Sequence, residues 1–160
     1  MSSLIKEERT MKGMRNKPGE IWVDIFPGYK ISNMGRWYSE FSKRIIKQYK
    51  NSSGYYRADL RINGVRKMVF THIKVVENFG DCNGNKIPEG MSSLLDNGLS
   101  IDHIDANKKH NQFSNLELVT HKENCFRRDE RMRLHSFGGG NILPKRRRVK
   151  DENNQGNVAS

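Results

Sequence analysis

The sequence predicts an α+β protein in which a small antiparallel β-sheet module precedes a strand, loop, strand, helix unit. Three observations carry this. Between about residues 31 and 71, apolar and polar positions roughly alternate in short runs separated by turn residues. The segment His72 to Phe79 instead has apolar residues at Ile73, Val76 and Phe79, a helical spacing. From Leu99 onward, LSIDHID, a polar loop at Asn107 to Gln112, SNLELVT and a capped helix follow in order.

Taken along the chain, Met1 to Pro18 is polar and lacks hydrophobic periodicity, so residues 1–18 are expected to be flexible. The β-rich module occupies 19–71. IWVDIF is β-prone, Pro27-Gly28-Tyr29 signals a turn, and KISNMGRWYS holds a second turn at Asn33 to Gly35. RIIKQYK and YYRADLRI flank the turn residues Asn51 to Gly54, and Asn63-Gly64 marks a hairpin before VRKMVFTH. The expected exposed positions of this sheet include Arg36, Lys43, Arg44, Lys47, Lys50, Arg57, Arg61 and Lys67, which is more basic than solubility demands. Residues 72–134 form the second region. Its first helix should end at Gly80, residues 81–100 read as loop, and Thr120 with Glu123 forms a capping box that starts a helix near His121 and carries it to about Leu134. Residues 135–160 are Gly-, Asn- and charge-rich and read as a flexible basic tail.

Composition narrows the function classes. Twenty-nine Lys and Arg stand against 18 Asp and Glu in 160 residues, a formal net charge of +11 that calls for a polyanionic partner. No stretch approaches the roughly 20 apolar residues that span a bilayer. The N-terminus lacks the apolar run of a secretory signal, so a cytoplasmic location is expected. Two cysteines, Cys82 and Cys125, are too few for a disulfide scaffold and are expected to be reduced.

Four residues form the chemical constellation. Asp102 and His103 adjoin at the end of a predicted strand, Asn115 lies in the second strand, and Asn124 lies in the first turns of the helix. A hard cation such as Mg²⁺ prefers oxygen ligands and keeps several waters, so one carboxylate and one amide carbonyl, Asp102 and Asn124, are sufficient protein donors. An imidazole with an unperturbed pKa near ~6.5 makes His103 a natural general base for water attacking a phosphodiester. Asn115 would hold that imidazole or its loop. Adjacent strand residues point to opposite faces, so Asp102 and His103 can serve one phosphate only where the strand twists or ends.

The stretch IDHIDANKKHNQFSNLELVTHKEN resembles the HNH endonuclease signature. EIWVDIFPGYKISNMGRWYS is similar to the DNA-binding module of phage intron-encoded and free-standing homing endonucleases, and THIKVVENF to the segment that links module and nuclease. The resemblance covers roughly residues 20 to 126. It implies a small antiparallel β-sheet DNA-binding module followed by a ββα-metal (HNH) nuclease finger, with His103 as general base, Asp102 and Asn124 as ligands of Mg²⁺ or Mn²⁺, and Asn115 ordering the active-site loop. Ala106 stands where the family commonly has Gly, and His110 where it often has Asn. If the protein is phage-encoded, its compartment is the host cytoplasm.

The expected partner is double-stranded DNA. Arg36, Lys43, Arg57 and Arg61 on the sheet would reach bases or fix register, Lys108, Arg127 and Arg128 would join the contacts near the site, and Lys145, Arg146 and Arg147 in the KRRRVK run would touch phosphates. One constellation per chain predicts a monomer that nicks one strand. The rival expectation is a DNA-binding protein with a catalytically silent nuclease-like fold.

Overall fold

The computed structural model describes residues 15–87, 94 and 97–136. The chain divides into two compact units, Met1–Asn124 and Cys125–Ser160. Among the described residues no helix is long and apolar enough to cross a membrane. Cys82 and Cys125 are both partly buried.

The first sheet contains β1 (Trp22–Phe26), β2 (Tyr29–Ser32), β3 (Trp37–Ser39) and β4 (Arg44–Ile45), each antiparallel to the next. The second contains β5 (Gln48–Lys50), β6 (Tyr56–Ile62) and β7 (Val65–Phe70), again antiparallel. The expectation of one sheet over 31–71 is therefore corrected to two, the first beginning at Trp22. RIIKQYK reads as one strand but breaks after Ile45. The Ile46 amide still reaches the Trp37 carbonyl at 2.8 Å, and its side chain packs on the core as the chain leaves for the second sheet. The Asn63-Gly64 hairpin forms as expected, with both residues at positive φ (52° and 79°), the conformation that a two-residue type I′ turn demands.

Helix α1 (Thr71–Phe79) follows β7 directly and stops at Gly80, whose φ of 83° an L side chain rarely adopts. Its Val75 and Val76 enter one buried cluster with Tyr29, Ile31 and Trp37 of the first sheet, Ala58, Leu60, Ile62 and Val69 of the second, and Ile101 and Leu116 further along. Trp37 is fully buried, and its indole N–H donates to Thr71 Oγ1 at 3.1 Å, which in turn donates to Gln48 Oε1 at 2.5 Å. One hydroxyl thus joins both sheets to the start of α1.

After α1, the buried carboxylate of Asp81 accepts from the backbone amides of Asn83, Asn85 and Leu118 at 2.8 to 2.9 Å. Burial pushes this carboxyl up, but the hydrogen bonds outweigh it and hold the group below the ordinary range. A stretch that reads as loop is thereby pinned to the hairpin formed by β8 (Leu99–His103) and β9 (Leu116–Thr120). Helix α2 runs His121–Ser136, and the Glu123 amide donates to Thr120 Oγ1 at 3.2 Å, the N-cap bond that the sequence predicts.

Candidate active site

In the β8–β9 hairpin, Asp102 faces Glu117 and His103 faces Leu116 in antiparallel register. Alternation puts Ile101 and His103 on one face and Ser100 and Asp102 on the other. Ile101 packs in the core, so His103 points into the protein. On the opposite face, Ser100 Oγ lies 3.1 Å from His121 Nδ1, and the His121 amide donates to the Gly98 carbonyl at 2.7 Å. Helix α2 therefore starts on the Asp102 side, and Asn124, one turn beyond His121, shares that helix stripe. Asp102 and His103 are both buried, each 4% exposed, at the strand's end, where the Ile104 amide still bonds the Asn115 carbonyl at 2.9 Å.

The imidazole is held by Asn111. His103 Nε2 lies 2.9 Å from Asn111 Oδ1, while Asn111 Nδ2 donates to the carbonyls of Lys108 and Lys109 at 3.4 and 3.3 Å. Those two carbonyls fix the amide's orientation, so Oδ1 accepts and Nε2 must carry the proton. In a neutral ring the lone pair then sits on Nδ1. Burial pushes the His103 pKa down, and although Asn111, Asp102 and Asp105 pull it back up, it stays below the ordinary imidazole value.

Asn115 does the other task open to it. It lies in a 3₁₀ turn (Phe113–Asn115) before β9, a correction to its expected place inside the second strand. Its Nδ2 donates to Asp105 Oδ1 at 2.9 Å and the His110 carbonyl at 2.8 Å, and its Oδ1 accepts the Asp105 amide at 3.1 Å. His110 Nδ1 lies 2.6 Å from Asp105 Oδ2, closing the loop further. Burial pushes the Asp105 carboxyl up, but His110, Asn115 and the Asn107 amide together hold it below the usual range. Ala106 follows at φ 61°, in the left-handed region that favours Gly over residues with a side chain. Asn111 escapes sequence reasoning because a polar loop of several Asn and Lys offers no periodicity to single one out.

The first sheet seats this loop. The Phe113 amide donates to the Asn33 carbonyl at 2.9 Å, and Gly35, at φ 71°, lies so close that an added Cβ would come within 2.8 Å of Asn111 Cβ and of its carbonyl oxygen. Gly35→Ala should therefore shift Asn111, and with it His103, lowering turnover by roughly the ~10²-fold that an ångström of misplacement can cost. Wild-type turnover in that variant would show that the seat is not strict.

Behind His103 lies His72, buried in α1, with ring centroids 5.6 Å apart. Burial, then the neighbouring His103 and Lys108, push the His72 pKa from 6.5 down to about 3. A histidine lowered on folding must shed its proton to fold, so its native fit is fully available above the unfolded value of 6.5 and is lost progressively as pH falls toward 3. Stability should drop by up to about 1.4 kcal/mol per pH unit below that value, and His72→Phe should remove this component. Denaturant midpoints of both proteins from pH 7 to 4 would check it; parallel curves would contradict it.

The expected DNA contacts are divided by the structure. Lys43 and Arg61 are exposed. Arg36 is not the exposed residue expected: its Nη1 pairs with the buried Glu20 carboxylate at 2.8 Å and its guanidinium lies over Trp22 at 5.5 Å. Arg57 is likewise only half-exposed, with its Nε 3.9 Å from Asp59 Oδ1. For Arg36 the cause is the Glu20 carboxylate and the Trp22 ring, which draw its guanidinium inward. Lys108 Nζ donates to the Ser53 carbonyl at 2.8 Å and sits 4.0 Å from the Tyr55 ring centre. Arg127 and Arg128 lie on α2, where Arg128 pairs with Asp129 at 3.2 Å. Lys145, Arg146 and Arg147 lie outside the described residues, as do the ends of the chain expected to be flexible, apart from the residues nearest the ordered part.

Among the described residues no group of three or more His, Cys, Asp or Glu gathers as a metal cluster. A carboxylate such as Asp102 and an amide carbonyl such as Asn124 are oxygen donors, the kind that would suit a hard cation completing its shell with water and phosphate oxygens rather than one caged by protein.

A family model described as HNH endonuclease matches residues 69–125. The chain is 35% identical over 106 residues to the DNA endonuclease I-HmuI of Bacillus phage SP01, a match covering 64% of this chain and 54% of the relative. It is 29% identical over 117 residues to the uncharacterized HNH endonuclease L245 of Acanthamoeba polyphaga mimivirus, covering 73% of this chain and 32% of that protein. Among solved structures it is similar to "DNA binding and cleavage by the HNH homing endonuclease I-HmuI", with a TM-score of 0.51, 31% identity, and coverage of 76% of this chain and 62% of that one. The matched part thus spans about half of the phage relative and a third of the mimivirus one.

Proposed function

We propose that this chain, which carries an HNH endonuclease domain over residues 69–125, is a metal-dependent DNA endonuclease that hydrolyses one phosphodiester and leaves a nick. The observation that carries this reading is the state of His103. Its Nε2 proton is committed to Asn111, and it is buried at the end of a strand beside Asp102, which leaves Nδ1 as the basic atom. Nδ1 would take the proton of a water attacking the phosphorus in line with the leaving 3′ oxygen. The products would be 5′-phosphate and 3′-hydroxyl ends. Asn111 orients the base, and Asn115 with Asp105 and His110 keeps the supporting loop closed. Mg²⁺ or Mn²⁺ held by Asp102 and Asn124 would stabilise the charge that develops on the leaving oxygen and the phosphorane.

Binding is assigned to the basic sheets. On one face of β5–β7, register aligns Tyr49 with Arg57 and Phe70, Asp59 with Met68, and Arg61 with Arg66. Tyr49 and Met68 are exposed there, and Arg61 and Arg66 stand at its end, so the face offers both apolar contact and cations to a duplex. Lys43, Arg57 and Arg61 would contribute site preference, Arg36 would act through Trp22 and Glu20, and Lys108, Arg127, Arg128 and the 145–147 run would add phosphate affinity.

One constellation per chain supports a monomer acting on one strand. Supercoiled plasmid carrying the target, incubated with enzyme and Mg²⁺, should give open circles first. Linear DNA from the earliest times, with sigmoidal dependence on enzyme concentration, would instead require a dimer making paired cuts.

A further inference from the structure

We propose that Tyr55, carried by the turn between β5 and β6, is a positioning residue of this site: its ring, with that of His72, holds the imidazole of His103 in one orientation. The proposal rests on the nuclease reading above for its consequence in catalysis, but its geometric content can be tested without DNA. Three rings meet at this point. Tyr55 stacks on His72 at 4.8 Å and 28°, lies 6.2 Å from His103 at a tilt of 43°, and His72 completes the triangle with His103 at 5.6 Å.

The contact is built rather than incidental. The Asn51 side chain accepts the Tyr55 amide at 2.8 Å, the Asn51 amide donates to the Tyr55 carbonyl at 2.9 Å, and the Gly54 amide donates to the Asn51 carbonyl at 3.0 Å, so the turn presents the tyrosine rigidly. Across the turn lies Lys108, whose Cδ is 3.4 Å from where a Cβ on Gly54 would stand. Its ammonium bonds the Ser53 carbonyl and covers the face of Tyr55 at 4.0 Å, the place where a ring's quadrupole attracts a cation. Lys108 belongs to the same loop as Asn111, whose Nδ2 reaches the Lys108 carbonyl. The loop that holds the edge of His103 is therefore strapped to the residue that stacks on His72 and tilts toward His103.

Anchored at its Cβ and by one hydrogen bond at Nε2, the imidazole can still tilt through coupled changes in its two side-chain torsions, and Nδ1 would move with it. A ring wall removes that freedom, and a nucleophile needs the base held within a few tenths of an ångström. Leu would fill the space but would offer neither a flat wall nor a face for the Lys108 ammonium. Tyr55→Phe keeps both.

The test uses the full chain with Tyr55→Leu, Tyr55→Phe and Lys108→Met. For Tyr55→Leu, kcat for Mg²⁺-dependent nicking should fall about tenfold to a hundredfold while KM and duplex affinity in EDTA stay within about twofold. In DNA-free protein, the His103 ring resonances should be a single sharp set in wild type and Tyr55→Phe, and broadened or shifted in Tyr55→Leu and Lys108→Met. Wild-type kcat in Tyr55→Leu, or no rescue by Tyr55→Phe, overturns the proposal. If Tyr55→Leu does not fold, unchanged His103 resonances in Lys108→Met overturn it instead. Wild-type protein that fails to cut DNA would refute the nuclease reading alone, since the resonances still report whether Tyr55 orders the ring.

Discussion

Replacing Asp102 by Ala is expected to abolish DNA cutting across a magnesium titration while leaving duplex affinity in EDTA largely intact, and Asn124→Ala should do the same. Both side chains are oxygen donors on one side of the hairpin, because Ser100 and Asp102 share a strand face and the Ser100 to His121 contact brings the start of α2 onto it. Under the proposed assignment, removing either would leave a hard cation with one protein ligand, too few to hold it at the leaving oxygen. The divalent metal should then bind more weakly, and isothermal titration with Mg²⁺ or Mn²⁺ should detect the loss independently of cleavage. Normal cutting by both variants would remove the metal assignment, and His103 would have to act without it.

His103→Ala carries the second large effect. Loss of a positioned general base should lower the cleavage rate by ~10² to 10⁴ with folding and metal binding retained. The sign of the pH dependence follows from burial, which holds the His103 pKa below its ordinary value. The proton-free form then persists to lower pH, so the acid limb of the wild-type rate profile should lie below that of an unperturbed imidazole and be missing from the variant. Rates equal to wild type over a pH series would contradict the assignment.

Much of this site is legible in the sequence because it depends on covalent spacing. Asp102 and His103 are neighbours, Thr120 caps a helix three residues before Glu123, and Asn124 follows at once. What sequence does not give is whatever depends on how distant segments fold onto one another. Asn111 is one of several loop amides until the fold brings it against the Gly35 turn and beside His103, and Tyr55 looks like an ordinary strand tyrosine until Lys108 crosses Gly54. Arg36 and Arg57 depart from the exposed positions that the sequence predicts. Alternation along a strand predicts the face of a side chain, but a long guanidinium can turn back to a carboxylate or indole, as Arg36 does to Glu20 and Trp22. The break of RIIKQYK into two strands was hidden for a related reason, since adjacent Ile45 and Ile46 fit one β run equally well until the core takes one and solvent the other.

The most direct measurement is conversion of supercoiled plasmid by the purified protein with Mg²⁺, with EDTA, and with the His103→Ala variant prepared in the same way. Open circles formed by wild type only in the presence of Mg²⁺, and lost with His103→Ala, are the predicted result. Plasmid left supercoiled by wild type at every Mg²⁺ concentration, or nicked equally by the variant, would contradict a metal-dependent nuclease working through His103 and leave the chain as a DNA-binding protein with a silent nuclease fold.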